Sequence, residues 1–248
     1  MRERDARDRA AHVPAGRSHG MLTPMDIQPL GAAGGVAPGD RRPIAARDLP
    51  VTGRLAGWLI ARRASPDAIS AGGMACGVLA GLAFAGTVWW PDAARPLWLL
   101  GALLVQLRLL ANLLDGMVAV GRGVASPLGE LWNEVPDRVS DTAVLLGLGV
   151  AAGSPALGAV AALAAMATAY VRAVGKAAGA PSDFRGPMAK QHRMALVTAL
   201  GVWGAVAPWS WQASLRLAFW TLVAIAALSL LTAIRRLAGT VGHLGGRA

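Results

Sequence analysis

The sequence predicts an all-α membrane protein, a bundle of six transmembrane helices preceded by an amphipathic helix lying in the membrane interface. Three observations carry this. The 248 residues are 54% hydrophobic and only 15% charged, well below the roughly 25% of soluble domains, and mean hydropathy is +0.46. The apolar residues fall into six runs, each approaching the ~20 residues that cross ~30 Å of hydrocarbon. The basic residues behind the net charge of +10 sit mostly beside those runs. They do not form a patch interleaved with aromatics, so their place points to anionic headgroups rather than nucleic acid.

Residues 1–47 are rich in Arg, Asp, Gly and Pro, with mixed charge and no sustained apolar period. Such a segment buries too little apolar surface to offset its ordering entropy, and it reads as a disordered tail. It has no contiguous apolar core of a secretory signal, and Met21 and Met25 are alternative starts. Residues 48–63 alternate apolar and basic groups at helical spacing. Leu55, Trp58 and Leu59 share a face there, with Arg54, Arg62 and Arg63 nearer water, as in an interfacial helix. The single cysteine, Cys76, excludes an intramolecular disulfide and a Cys-based zinc site.

The six spans run about 68–90, 97–119, 138–153, 155–175, 194–209 and 214–234, within a domain of residues 64–236. A short cytoplasmic tail, 237–248, follows. Brief connections near Pro91, Ser154–Pro155 and Pro208–Gln212 make neighbouring helices antiparallel. Trp89, Trp90, Trp98, Trp209 and Trp211 flank these turns as an aromatic belt would. One side holds Arg62, Arg63, Arg122, Lys176, Arg185, Lys190, Arg193, Arg235 and Arg236, and the other little beyond Arg95 and Arg216. The positive-inside rule places both termini in the cytoplasm, and the expected location is a bacterial cytoplasmic membrane.

Ionisable residues inside membrane helices are costly and mark functional sites by default. Arg108, Asn112 and Asp115 are four and three residues apart, on one face of the second span. Asn133, Asp137 and Asp141 recur every four residues around the start of the third, with Glu130 and Glu134 close by. Antiparallel packing brings Asp115 and Asp137 together near the cytoplasmic surface, an oxygen cluster suited to a hard divalent cation such as Mg²⁺. Arg108 and Asp141 each lie deeper along their helices, and a buried charge persists only when compensated, so the two are expected to pair. The alternative is that these polar groups merely join helices by hydrogen bonds.

The segment from Asn112 to Asp137 resembles the signature of the CDP-alcohol phosphatidyltransferases, D-x2-D-G-x2-A-R-x8-G-x3-D-x3-D. Asp115, Gly116, Ala119, Gly129 and Asp137 match in register. Asn112 and Asn133 stand where the first and third Asp are expected, and Val120 where the Arg is. More weakly, residues 65–70 are similar to the family's approach to its first span, and residues 170–173 to the end of its fourth. The resemblance implies a six-span enzyme of phospholipid synthesis that moves a substituted phosphate from a CDP-linked lipid, such as CDP-diacylglycerol, to an alcohol and releases CMP. It also implies that Asn112, Asp115, Asn133 and Asp137 hold Mg²⁺ or Mn²⁺, with Asp137 the general base. Gly116 and Ala119 then leave room for the nucleotide, and Gly129 for the facing helix. Arg122 and Arg172 are candidate phosphate ligands, and Glu134, Asp141, Arg108 and Lys190 secondary candidates. Family members commonly dimerise, so a homodimer is expected.

Three other readings stand beside this one, of which a transporter or purely structural protein is disfavoured because the acidic groups cluster near one surface rather than at the midplane. The amides at 112 and 133 and Val120 suit a relative that binds nucleotide or lipid without turnover. A Mg²⁺-dependent membrane prenyltransferase also uses Asn- and Asp-rich helix ends, but residues 194–248 contain no Asp or Glu for its second motif.

Overall fold

The computed structural model describes residues 49–124, 127–208, 210–211 and 216–246, apart from the side chains of Pro127, Leu128, Glu130 and Asn133. The expected disordered tail and Trp209 lie outside the described residues, and all described residues belong to the unit Val36–Ala248. Among them there are helices and no strand. The helices are α1 (Pro50–Ala61), α2 (Pro66–Trp89), α3 (Ala94–Gly121, after a single 3-10 turn), α4 (Pro127–Ala151), α5 (Pro155–Ala177), α6 (Lys190–Val206) and α7 (Leu217–Gly245).

Local chemistry explains the boundaries. Proline opens α1, α2, α4 and α5, where its missing N–H costs nothing and its fixed φ suits the first turn. Ser65 also caps α2, its hydroxyl accepting from the Ala68 N–H at 3.4 Å. Gly123 and Gly153, at φ +65° and +68°, follow the ends of α3 and α4 in the left-handed region.

Four segments are long and apolar enough to cross a membrane: Pro66–Trp89, Pro91–Gly121, Pro155–Ala177 and Leu217–Gly245. The chain is therefore a multi-pass membrane protein. α4 and α6 fall outside that set for plain reasons. The first half of α4 carries Glu134, Asp137, Arg138 and Asp141, and α6 has only 17 residues. α7 runs on through Gly245, so most of the expected tail after 236 is helical. No proline interrupts it, and interior Gly239 and Gly242 only weaken a helix.

α2 lies between α3 and α4, α5 packs on α7, and α6 packs on α3. Phe84, Val105, Val144, Leu145, Leu148, Met194, Val197, Leu222 and Ile225 are buried. Lipid tails are as apolar as these side chains, so association rests on close packing and polar contacts. Accordingly α2 and α4 touch backbone to backbone: a Cβ on Gly147 would fall on the main chain of Gly81.

One expectation needs correction. Trp98 is not a belt residue. It is buried with its ring 5.4 Å from that of Phe84, in a niche opened by Gly201 and Gly204 of α6. Trp89, Trp90 and Trp211 are exposed as a belt requires. In α1, Thr52 and Ala56 are the buried residues, with Leu55, Leu59 and Ile60 half-buried. Trp58 is exposed, with Arg62 stacked 4.6 Å above its ring. Small residues win the buried stripe because they let α1 approach α3.

Candidate active site

The polar ends of α2, α3, α4 and α6 meet at one end of the bundle. Ser70 and Gly73 from α2, Arg108, Asn112 and Asp115 from α3, and Trp132, Pro136, Asp137 and Ser140 from α4 line a narrow cleft. Helical spacing puts the α3 residues on one stripe, and α4 returns beside α2 to face it.

Each carboxylate is held by named donors. Asp115 Oδ2 accepts from the Ser70 hydroxyl at 2.6 Å, and Oδ1 from the Gly116 N–H. Asp137 Oδ1 accepts from Arg108 Nη2 at 3.0 Å, and Oδ2 pairs with Lys190 Nζ. Arg108 Nη2 also reaches the Asp137 carbonyl at 3.1 Å and lies 2.6 Å from Asp141 Oδ1. Asp141 Oδ2 accepts from Arg193 Nη2 at 2.9 Å. The pairing of Arg108 with Asp141 expected from their depths is thus present, but it is part of a larger network. Three cations and two carboxylates from α3, α4 and α6 share one buried region, in which Arg108 is 2% and Arg193 1% exposed. Such groups survive in a membrane bundle only when they compensate one another.

The loop between α5 and α6 sets the two α6 cations. Met188 N–H donates to Thr232 Oγ1 at 3.0 Å, and Arg236 Nε donates to the Arg185 carbonyl at 3.0 Å while its Nη1 reaches the Thr168 carbonyl at 2.9 Å. The loop is thereby pinned to α5 and α7. Arg193 Nη1 reaches the Met188 carbonyl at 3.3 Å, tying the start of α6 to the same loop. Within the loop, burial works against the charge of Asp183. The side-chain and backbone donors of Arg185 outweigh it and hold the carboxyl below its usual range.

Not every candidate faces the cleft. Arg122 Nη1 donates to the carbonyls of Ala64 at 2.6 Å and Arg63 at 3.2 Å, so it ties α3 to the corner between α1 and α2. Arg172 Nη2 reaches Glu134 Oε1 at 2.6 Å, its guanidinium lies 5.2 Å from the Phe184 ring, and Arg138 binds the same Glu134 oxygen at 2.7 Å. Arg172, Glu134 and Phe184 thereby join α4, α5 and the loop. A Cβ on Gly116 would meet nothing within 4 Å, so open space adjoins it. Ala119 and Gly129 are half-buried. Asn133 belongs to α4, but its side chain lies outside what is described.

Reading the sequence did not identify Ser70 as a partner of Asp115 or Arg193 as a partner of Asp141. The signal for Arg193 is its place one turn from Lys190. Ser70 carries none, because its contact spans two helices.

The donor set suits a hard divalent ion. Carboxylate oxygens of Asp115 and Asp137 and the carboxamide of Asn112 line the same cleft, which has no His or Cys. Among the described residues no three His, Cys, Asp or Glu side chains converge. Carboxamide, main-chain, water or substrate oxygens would complete the shell of an ion here.

No family model matches the chain. It is 31% identical over 157 residues to the archaetidylinositol phosphate synthase of Aeropyrum pernix, covering 61% of this chain and 77% of that protein. Among solved structures it is similar to Mycobacterium tuberculosis phosphatidylinositol phosphate synthase with CDP-DAG bound, at a TM-score of 0.64 and 21% identity over 78% of this chain and 94% of that one. The same enzyme in complex with manganese and citrate gives a TM-score of 0.63 and 23% identity, over 76% and 88% of the two chains. These structures share the fold, and the archaeal relative shares sequence across most of its own length. With the cleft described above, they agree on one conclusion: the chain belongs to the CDP-alcohol phosphatidyltransferase family.

Proposed function

We propose that this protein transfers a substituted phosphate, phosphatidyl in the first instance, from a CDP-linked lipid to an alcohol and releases CMP. One observation carries the reading. Asp115, Asn112 and Asp137 line a single cleft, at the register where the family signature has its metal-binding and basic residues. The relatives' names add inositol phosphate as the first acceptor to try.

Asp115 and Asp137, with the carboxamides of Asn112 and Asn133, would hold Mg²⁺ or Mn²⁺. When bound, the ion would neutralise diphosphate charge and stabilise the departing CMP. The remaining work falls to the chain. Asp137 takes the proton of the acceptor hydroxyl as it attacks phosphorus. Arg108 and Lys190 hold that carboxylate from both oxygens and so fix its direction. Ser70 orients Asp115, and the open space beside Gly116 admits the nucleotide.

The setting belongs to the same proposal. All of α2 to α7 cross the membrane, because the charges of α4 are compensated inside the bundle. α1 lies in the interface, both termini face the cytoplasm and the cleft opens there. The ends that meet at the cleft are the ones flanked by Arg62, Arg63, Lys176 and Arg235, in keeping with the positive-inside rule. A homodimer is the proposed assembly.

The test is CMP release by purified protein given CDP-diacylglycerol, Mg²⁺ or Mn²⁺, and a panel of inositol phosphate, glycerol phosphate and serine. Release with one acceptor is expected, with the lipid product identified by mass. Asp137→Ala should lower the rate by roughly 10²–10⁴-fold, as loss of a general base does, and Asp115→Ala should abolish it. Silence with every acceptor would favour a binding protein without turnover.

A further inference from the structure

Among the described residues that line the cleft, one side chain, Arg108, has a buried polar atom without a hydrogen bond. Arg108 is 2% exposed and lines the cleft, and its Nη2 serves Asp137 and Asp141. Its Nη1 is buried and, among the described residues, has no hydrogen-bond partner. A buried guanidinium N–H without an acceptor is costly. An anionic oxygen entering the cleft would satisfy it.

Charge gives a second, independent constraint. The signature has four Asp, but this chain has amides at 112 and 133. Asp115 and Asp137 remain, and two protein cations, Arg108 and Lys190, already contact Asp137. Asp115, Asp137 and Asp141 are already matched in number by Arg108, Lys190 and Arg193, so one divalent ion answers the two charges of a doubly esterified diphosphate. A second would sit against a guanidinium with no carboxylate left to offset it, and like charges at such range in a poorly polarisable site repel strongly.

We infer that Arg108 does the work of a metal ion in this chain: the cleft takes a single divalent cation, and Arg108 Nη1 donates to an oxygen of the bound diphosphate. This rests on the function proposed above. A planar guanidinium suits the role because it stays charged when buried and presents several donors in fixed directions. The two Asn residues and the arginine then form one substitution. Carboxylates that would gather further metal are gone, and the positive charge they would have gathered is built into α3.

The experiment counts ions and weighs the diphosphate contact separately. Full-length protein in detergent is titrated with Mn²⁺ and followed by electron paramagnetic resonance, with CDP as the diphosphate probe. One Mn²⁺ per wild-type chain is expected. In Arg108→Met, CDP affinity should fall roughly ten- to hundredfold, the worth of a hydrogen bond to a charged group. That variant keeps Asp141 paired with Arg193 and Asp137 with Lys190, so neither carboxylate is stranded. If it nevertheless fails to fold, the wild-type ion count still decides. Any count other than one overturns the inference, as does unchanged CDP affinity in folded Arg108→Met. CMP release separates the two readings: with turnover and two ions only this inference falls, whereas no ion and no turnover sinks the proposed function as well.

Discussion

The two ends of the bundle are held together by opposite means. At one end Arg108, Asp137, Asp141, Lys190 and Arg193 form a buried charge network. Away from it, α2 meets α4 through Gly81 and Gly147, and Trp98 fits against Gly201 and Gly204 with no charge involved. Close packing is enough to join helices in lipid. The charge network is therefore not needed for association as such, and it coincides with the proposed site. The comparison also explains why α4 falls short as an apolar span. Its N-terminal half serves the cleft and its C-terminal half the packed core.

Substitutions at each end should fail in different ways. The largest structural effect is expected from Asp141→Leu, which leaves Arg193 without its carboxylate and Arg108 with Asp137 alone. Breaking a buried pair from one side costs about 3–5 kcal/mol, seen as a large drop in thermal unfolding temperature in detergent. Adding Arg193→Leu should recover part of that loss. If the double variant is as unstable as the two single losses summed, the charges are not coupled.

Gly147→Val tests the packed contact. Its Cβ meets the Gly81 main chain, and overpacking costs about 1–3 kcal/mol. The unfolding temperature should fall while CMP release per folded molecule is kept, since no cleft residue is touched. Loss of turnover without loss of stability would break the division drawn here.

The smallest effect belongs to Asp183→Asn in the loop. Its pair with Arg185 is largely exposed on the arginine side, so it contributes little and is screened by salt. The depressed carboxyl stabilises the fold above the ordinary Asp range and loses that contribution as pH falls through its lowered value. Wild type and variant should therefore differ slightly near neutral pH and converge in acid, as read by unfolding temperature against pH.

The sequence by itself determined a helical membrane protein and the identity of the residues at its polar end. Apolar length dictates spans, because backbone groups in hydrocarbon must pair within a helix. The spacing of Asn112, Asp115 and Asp137 dictates which side chains share a stripe. Even the pairing of Arg108 with Asp141 follows from depth and charge compensation. What only the tertiary structure decided is which groups from different helices touch. Trp98 turns inward because glycines on another helix make room, and Arg122 binds the Arg63 and Ala64 carbonyls because α1 folds back there. Lys190 and Arg193 enter the network because a distant loop is fastened by Thr232 and Arg236. None of these is a local property of the chain. Each depends on space and partners supplied by a helix far away in sequence, which spacing along a single helix does not encode.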